Sequence, residues 1–235
     1  MRYPGVERAV FLRRPNRFIA EVQLDGKTER VHVKNTGRCR ELLVPGCTVY
    51  LHAPDRAGRK TRFDLVAVEK REPDGGTRLI NMDSQLPNDA AAEWLPRSGL
   101  FSDKAVFCRE VVHGDSRVDF YAQDGPRRAF IEVKGCTLEK SGTALFPDAP
   151  TERGSRHLRG LVQAVKEGFE AYILFVIQMK GVTVLRPNAE TDPVFARELA
   201  QAARGGVRVL AMDCRVTPEE MVIEDPVRVE WEEIK

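Results

Sequence analysis

Seven apolar residues in a row, at 171–177, limit the fold of this 235-residue chain more than any other segment. An uninterrupted run of this kind fits a strand that is covered on both faces, as at the centre of an α/β sheet. The apolar residues of 151–168 recur at i, i+3, i+4 and i+7 and predict a helix before it. A second helix over 193–204 and a strand over 207–212 follow. Strand, helix and strand in this order indicate parallel crossovers.

Ahead of these elements the chain predicts a short helix and three strands. Pro87 can start a helix, which stops near Pro96. The strand candidates lie at 105–112, 117–121 and 129–137. Because only short turns separate them, we expect an antiparallel meander that leads into the crossovers.

The first 85 residues read instead as short strands. Side chains alternate over 18–24, and Asp25-Gly26 supplies a hairpin turn. Further strands are predicted around 31–33 and at 47–52, 63–70 and 78–81. Five short strands in this length predict a small closed β-barrel that is OB-like. We therefore expect a mixed α/β (α+β) chain with two domains, 1–85 and 86–235.

Charge is distributed unevenly between these two parts. Residues 1–85 hold 17 Lys and Arg against 11 Asp and Glu, whereas residues 86–235 hold 20 against 24. A basic front half suits a polyanion such as DNA, although solvated faces are an equal alternative. The candidate phosphate contacts there are Arg13, Arg14, Arg17, Lys34, Arg38 and Arg40.

Location is predicted from what the sequence lacks. No apolar run approaches the ~20 residues that span a bilayer, and the N-terminus does not resemble a secretory signal. We therefore expect a cytoplasmic protein with no membrane partner.

Two acids and a lysine fall together on the predicted meander. Glu132 and Lys134 share one face of a strand, roughly 7 Å apart, because strand side chains alternate with a period of two. A hairpin places Asp119 beside Glu132. Two carboxylates can hold Mg²⁺ or Mn²⁺, and a lysine can stabilise developing charge, as metal-assisted phosphodiester hydrolysis requires. The alternative is a surface ion pair. Glu93, on the preceding helix, is either a further metal ligand or a solvated position.

The start of the long helix is a second candidate for contact with phosphate. Its free N–H groups favour anions, so a DNA phosphate can dock there beside Arg153 and Arg156. Capping of these groups by Asp148 or Thr151 is the structural alternative. His157, four residues after Arg153, either faces the site or packs in the core.

Four segments resemble the sugar fermentation stimulation protein A (SfsA) family. They are VKNTGRC at 33–39, QLPN at 85–88, EVK at 132–134 and, the most distinctive, FPDAPTERG at 146–154. The resemblance covers nearly the whole chain. It implies bacterial and archaeal DNA-binding proteins that are linked to the regulation of sugar utilisation.

The same resemblance implies a fold and a site. It predicts an OB-like domain followed by a PD-(D/E)XK nuclease-like domain, with a mixed central sheet flanked by helices. The nuclease pattern maps onto Asp119, Glu132 and Lys134. Val118 stands where that pattern has proline, which lowers the specificity of the match.

Three functions remain open from the sequence. The first is a Mg²⁺- or Mn²⁺-dependent nuclease that binds DNA through its phosphates, with little sequence specificity. The second is a non-catalytic DNA-binding transcriptional regulator of sugar utilisation, of the maltose type. The third is an α/β metabolic enzyme without a nucleic-acid role. Clustered carboxylates favour the first, because without a cation they weaken DNA binding. The acidic last 18 residues are expected to form an edge strand or tail, and a homodimer is an option.

Overall fold

The N-terminal part of the chain is a closed β-barrel. The structure, a computed structural model, describes residues 1–35, 37–55, 58–114 and 116–231. The strands of this part are β1 (Val6–Asn16), β2 (Ile19–Leu24), β3 (Lys27–Val33), β4 (Thr48–His52), β5 (Asp64–Arg71) and β6 (Thr77–Asn81). They pair in the order β3-β2-β1-β4-β5-β6, and a parallel pairing of β3 with β5 closes the first five into a ring.

Alternate side chains fill the barrel. Phe11, Val22, Val49 and Leu65 point inward and are almost completely buried. Burial of one face of each strand follows from the period of two in strand side chains. The predicted OB-like barrel is therefore confirmed.

One strand of the ring was not predicted. The five strands expected from the sequence correspond to β2–β6, whereas the ring consists of β1–β5, and β6 extends the sheet beyond it. The pairing of β1 with β2 shifts register after Phe11 and again after Arg13. These irregularities break the alternation that would otherwise identify β1 as a strand.

The rest of the described chain is a mixed α/β unit. It contains α1 (Leu86–Trp94), a 3-10 turn (Leu95–Arg97), β7 (Val106–His113), β8 (Ser116–Asp124), β9 (Arg127–Cys136), β10 (Glu139–Lys140), β11 (Thr143–Phe146), α2 (Glu152–Lys166), β12 (Glu170–Ile177), β13 (Val184–Pro187), α3 (Pro193–Arg204), β14 (Arg208–Thr217), β15 (Glu220–Pro226) and β16 (Arg228–Val229).

The main sheet has the order β15-β14-β12-β9-β8-β7. Strands β7, β8 and β9 form the predicted antiparallel meander, and β12 and β14 continue it in parallel, as the crossovers require. Strand β12 is buried on both faces. Helices α2 and α3 pack against one face of the sheet and α1 against the other. The predicted fold class is thus confirmed.

Smaller elements differ from the expectation. A second sheet, of order β10-β11-β13-β16, was not predicted, since its strands are only two to four residues long. Strand β15 forms the edge expected near the C-terminus, while residues 232–235 lie outside the described part. Among the described residues, each helix is too short or too polar to span a bilayer.

Buried polar contacts join the barrel to the α/β unit. Asp83, in the connection from β6 to α1, is fixed to the N-terminal part by a bond from Tyr3 Oη at 3.1 Å and by pairing with Lys34. The side-chain nitrogen of Gln178, just after β12, donates to the backbone oxygens of Asn81 and Asp83 at 3.1 and 3.0 Å. Because buried polar groups need partners, these contacts fix how the two parts meet.

Candidate active site

Asp119 lies where β8 and β9 stop pairing. The regular pairing of the two strands ends at Phe120 and Ile131, and Asp119 and Glu132 are the next residues beyond this pair. Beyond it, the Asp119 carboxylate bonds to the neighbouring strand: Oδ2 accepts from the backbone N–H of Val133 at 2.7 Å. Oδ1 accepts from Asn88 Nδ2 of α1 at 2.9 Å. Asp119 is therefore held from two sides.

The environment of Asp119 disfavours its charge. Burial, followed by the negative charge of Glu132, raises the pKa of Asp119 despite the hydrogen bonds from Val133 and Asn88 and the charge of Lys134. Like charges in one site raise a carboxyl pKa in this way. Since Asp119 is bonded to the backbone of Val133, the residue between Glu132 and Lys134, the structure brings the three predicted residues together.

Glu132 is almost completely buried and has two partners. Lys134 Nζ lies 2.6 Å from Glu132 Oε1, and His157 Nδ1 bonds to the same oxygen. Burial acts to raise the pKa of Glu132, but the hydrogen bond from His157 and the charge of Lys134 outweigh it and lower that pKa. Glu132 is therefore held as a carboxylate.

His157 links this carboxylate to the start of α2. Its Nε2 accepts from Arg153 Nε at 3.3 Å, so the ring proton lies on Nδ1 and points at Glu132. Of the two alternatives that the sequence left open, the structure places His157 at the site. Arg153 and Arg156 are exposed on the same helix.

The start of α2 is capped by the side chain of its own N-cap residue, Thr151. Thr151 Oγ1 accepts from the N–H of Gly154 at 3.0 Å, so Thr151, and not Asp148, is the N-cap. The backbone N–H of Thr151 donates to Asp192 Oδ2 at 2.8 Å. The capping alternative is therefore present at this terminus, and Arg153 and Arg156 are the exposed cations beside it.

Two of the predicted DNA contacts are engaged in the structure. The guanidinium of Arg14 donates to the backbone oxygens of Arg17, Asn35, Gly37 and Arg38 at 2.6–2.8 Å. Lys34 is paired with the buried Asp83. Neither is available for a phosphate, so both are corrected to structural roles that the sequence could not reveal.

The other cations of the barrel are more accessible. Arg13 is exposed although it pairs with Glu21 at 2.7 Å, and Arg17 lies 4.7 Å from the ring centre of Phe18. Arg38 and Arg40 are exposed, and in the described ranges neither forms a salt bridge. Of the predicted phosphate contacts on the barrel, Arg17, Arg38 and Arg40 are therefore the ones that the structure leaves exposed and without a salt bridge among the described residues.

Glu93 does not join the cluster. Its Oε2 accepts from the N-terminal ammonium of Met1 at 2.7 Å. Asn88, which does contact the site, is five positions earlier, or roughly 140° away around a helix of 3.6 residues per turn. The metal-facing alternative for Glu93 is therefore dropped.

The donor atoms suit a hard divalent cation. Asp119 and Glu132 offer carboxylate oxygens, and a bound cation would relieve the repulsion between their negative charges. The described residues hold no cluster of three or more His, Cys, Asp or Glu ready for a metal. Mg²⁺ does not need one, because it is commonly bound through one or two carboxylates, waters and substrate phosphates.

Sequence reasoning missed two residues at this site. Asn88 was interpreted only as part of a helix start and a family segment, yet it orients Asp119. Gln178, which packs against the residue after Lys134, has no distinguishing signal in the sequence, because it follows an apolar run and carries no charge. Only the position of Asn88 within the QLPN segment offered a signal.

Replacing Lys34 by methionine is expected to lower the free energy of unfolding by about 3 kcal/mol, because Asp83 would remain buried without its counter-charge. Any salt dependence of DNA binding should be the same in the variant, since the Lys34 charge is already neutralised. Denaturant unfolding and binding titrations at several salt concentrations test both statements. Unchanged stability together with a smaller salt dependence would restore Lys34 as a phosphate contact.

Comparison with known proteins agrees with this architecture. Family models match residues 12–81, as the SfsA N-terminal OB domain, and residues 85–220, as the sugar fermentation stimulation protein RE domain. A sugar fermentation stimulation protein homolog of Desulfitobacterium hafniense is 52% identical over 97% of this chain and 98% of its own length. That of Ruminiclostridium cellulolyticum is 48% identical over 97% and 99%.

A solved structure is similar over the same extent. Pyrococcus furiosus SfsA, in complex with Ca²⁺, matches with a TM-score of 0.83 and 28% identity over 98% of both chains. Both family models fall on the two structural parts described above. The chain therefore belongs to the sugar fermentation stimulation protein (SfsA) family.

Proposed function

We propose that this protein is a Mg²⁺- or Mn²⁺-dependent nuclease that hydrolyses phosphodiester bonds in DNA. The observation that carries the proposal is the coupling of two carboxylates, Asp119 and Glu132, with the ammonium of Lys134. A protein that only binds DNA gains nothing from such carboxylates, because without a cation they repel phosphate. The Ca²⁺ bound to the Pyrococcus furiosus relative supports a divalent cation.

Each side chain has a distinct role in this proposal. A bound cation supplies Lewis-acid chemistry at the phosphate and a water of lowered pKa. Asp119 and Glu132 would hold that cation. Lys134, 2.6 Å from Glu132, would stabilise the phosphate oxygen that gains charge. Asn88 and His157 are positioning residues, since each fixes one of the two carboxylates by a hydrogen bond.

Exposed arginines would hold the DNA backbone. Arg17, Arg38 and Arg40 lie on the barrel, and Arg153 and Arg156 lie at the start of α2. Arg153 bonds to His157, which in turn bonds to Glu132, so a phosphate beside Arg153 would lie close to the cluster. Arginine contacts to phosphate give affinity without reading sequence.

The test is incubation of the purified protein with single- and double-stranded DNA in Mg²⁺, Mn²⁺, Ca²⁺ or chelator. Cleavage that depends on Mg²⁺ or Mn²⁺ and is lost on substitution of Lys134 would support the nuclease. Salt-sensitive binding with no cleavage in any metal would leave only the non-catalytic regulator. Absence of DNA binding at low salt would contradict both.

Substitution of Arg38 or Arg40 by alanine is expected to weaken DNA binding equally for all sequences. Each should reduce the slope of log affinity against log salt by about 0.9, the value for one phosphate contact on duplex DNA. Arg204 is the matched control: it is exposed at the end of α3, and the two residues after it lie next to Val162 and Val165 near the C-terminal end of α2, away from the α2 start. An equal effect of Arg204→Ala would contradict a localised DNA surface.

A further inference from the structure

A cavity of about 320 Å³ lies between the barrel and the α/β unit, at the carboxyl ends of the parallel strands β9 and β12. Its wall includes Gly135 and Cys136, which directly follow Lys134. Asn35 and Gly37 of the barrel form another side. Ligands of α/β sheets commonly bind outside the carboxyl ends of the strands. The cavity is thus one residue away from the catalytic lysine of the proposed nuclease.

One wall of the cavity is formed in part by the side-chain amide of Gln178. Gln178 is only 1% exposed. Its Nε2 donates to oxygens of Asn81 and Asp83, which fixes the orientation of the amide. Its Oε1 accepts no hydrogen bond from the described residues and lies next to Gly135 on the cavity wall. Because this oxygen borders the cavity, it is open to a donor from a ligand.

The carboxylate of Asp148 is a second acceptor in the wall of the cavity. Asp148 is exposed to the cavity, and in the described ranges its carboxylate has no salt bridge or hydrogen bond. Its charge also affects Cys136 in the same wall. Burial, and after it the negative charge of Asp148, raises the pKa of Cys136 to about 12. Two acceptors, one neutral and one charged, therefore face the same space.

Two glycines make room for these acceptors. A Cβ at Gly135 would lie 2.5 Å from Gln178 Oε1 and 2.7 Å from Pro87 Cγ. A Cβ at Gly37 would overlap Asp148 Oδ2. Neither glycine has a positive φ. Their small size, not their backbone freedom, is what this arrangement requires.

We infer that the cavity binds the base of an unpaired nucleotide beside the scissile phosphate, and that it favours bases with an exocyclic amino group. The exocyclic amino group of adenine, cytosine or guanine has two N–H hydrogens, one for Gln178 Oε1 and one for Asp148, whereas an unpaired thymine offers a single N3–H between two carbonyl oxygens. Leu138, Leu145 and Pro147 supply apolar surface for the flat faces of the base. A cavity of this size admits one nucleotide and not a duplex, so the strand must be unpaired there.

This inference rests on the proposed function and deepens it, because it names the substrate as single-stranded or locally opened DNA. Exposed arginines close to the cavity, Arg38 on the barrel and Arg153 at the start of α2, would contact the adjoining phosphates. Bases are read through their edges and phosphates only position the strand. A preference among bases therefore reports on binding in the cavity and not on the phosphate contacts.

The experiment measures binding of dAMP, dCMP, dTMP and inorganic phosphate to the full chain in chelator, where no cleavage occurs. We expect dAMP and dCMP to bind about three- to tenfold more tightly than dTMP, as one net hydrogen bond allows. Asp148→Asn should reduce this preference towards unity. Ala149→Trp, which places a large side chain on the cavity wall, should weaken all three nucleotides and leave inorganic phosphate unchanged.

Glu152→Gln is the matched control for charge. Glu152 is exposed in the first turn of α2 and does not line the cavity, so its substitution should retain the base preference. Equal binding of dAMP and dTMP, or nucleotide binding unaffected by both cavity variants, would overturn the inference. Base preference without cleavage in any metal would instead remove the proposed nuclease and leave the cavity assignment standing.

Discussion

Asp119→Asn is expected to abolish metal-dependent DNA cleavage and, in chelator at neutral pH, to make the protein more stable. Cleavage should fall by at least about 100-fold, because the variant loses a carboxylate that would hold the charge-stabilising cation. The fold can accept the change: the asparagine oxygen can accept from Val133, and Asn88 can turn its amide to accept from the new N–H group.

The gain in stability follows from the direction of the pKa shift. The pKa of Asp119 is raised in the folded protein, so the folded state holds this proton more tightly than the unfolded state does. The stability this provides is present below the ordinary pKa of 3.8 and is lost as pH rises through the raised pKa. At pH 7 the charged Asp119 is therefore destabilising, and a neutral asparagine removes that cost.

Thermal unfolding in chelator at pH 7 and near pH 4 measures this effect. The Tm of Asp119→Asn should exceed that of the wild type at pH 7, and the gap should narrow at the lower pH. Asp124→Asn, on the same strand, is the control. It should lower the Tm at pH 7, because hydrogen bonds from Ser102 lower the pKa of Asp124 and so favour its charged form. A variant that cleaves normally, or one less stable than the wild type at pH 7, would show that Asp119 is a structural acid.

The site was predictable to the extent that it depends on short-range geometry. Glu132 and Lys134 are two positions apart on one strand, and a single hairpin brings Asp119 to them. Such relations follow from the period of two and from a turn of known length. The central strand β12 was predictable for a similar reason, because burial on both faces leaves an unbroken apolar run.

Features that depend on distant partners were not predictable. Lys34 and Arg14 look like free cations in the sequence, but Asp83 lies 49 positions from Lys34. The partners of Arg14 are backbone oxygens, which no residue type reveals. Strand β1 was missed because its bulges disturb the alternation. In each case tertiary contacts, and not local pattern, decide the role of the residue.

Lys134→Met is expected to lower the rate of DNA cleavage by about 100- to 1,000-fold, the effect of losing one group that stabilises transition-state charge. Binding of DNA at low salt should change little, since in the proposed function the arginines of the barrel and of α2 would supply the backbone contacts. The Lys134 ammonium lies 2.6 Å from Glu132 Oε1. Its loss will also reduce stability, because among the described residues Glu132 keeps only His157 as a partner.

Lys70→Met separates the chemical effect from the structural one. Lys70 is 19% exposed and is paired with Glu139, which is completely buried, while Lys134 is 15% exposed and Glu132 is 3% exposed. Both substitutions thus leave a buried carboxylate without its ammonium, and both should lower the denaturation midpoint. Only Lys134→Met should lose cleavage, measured in Mg²⁺ well below either midpoint. If Lys70→Met lost as much, or if Lys134→Met cleaved normally, Lys134 would be one more buried ion pair, and the two carboxylates would have no catalytic amine beside them.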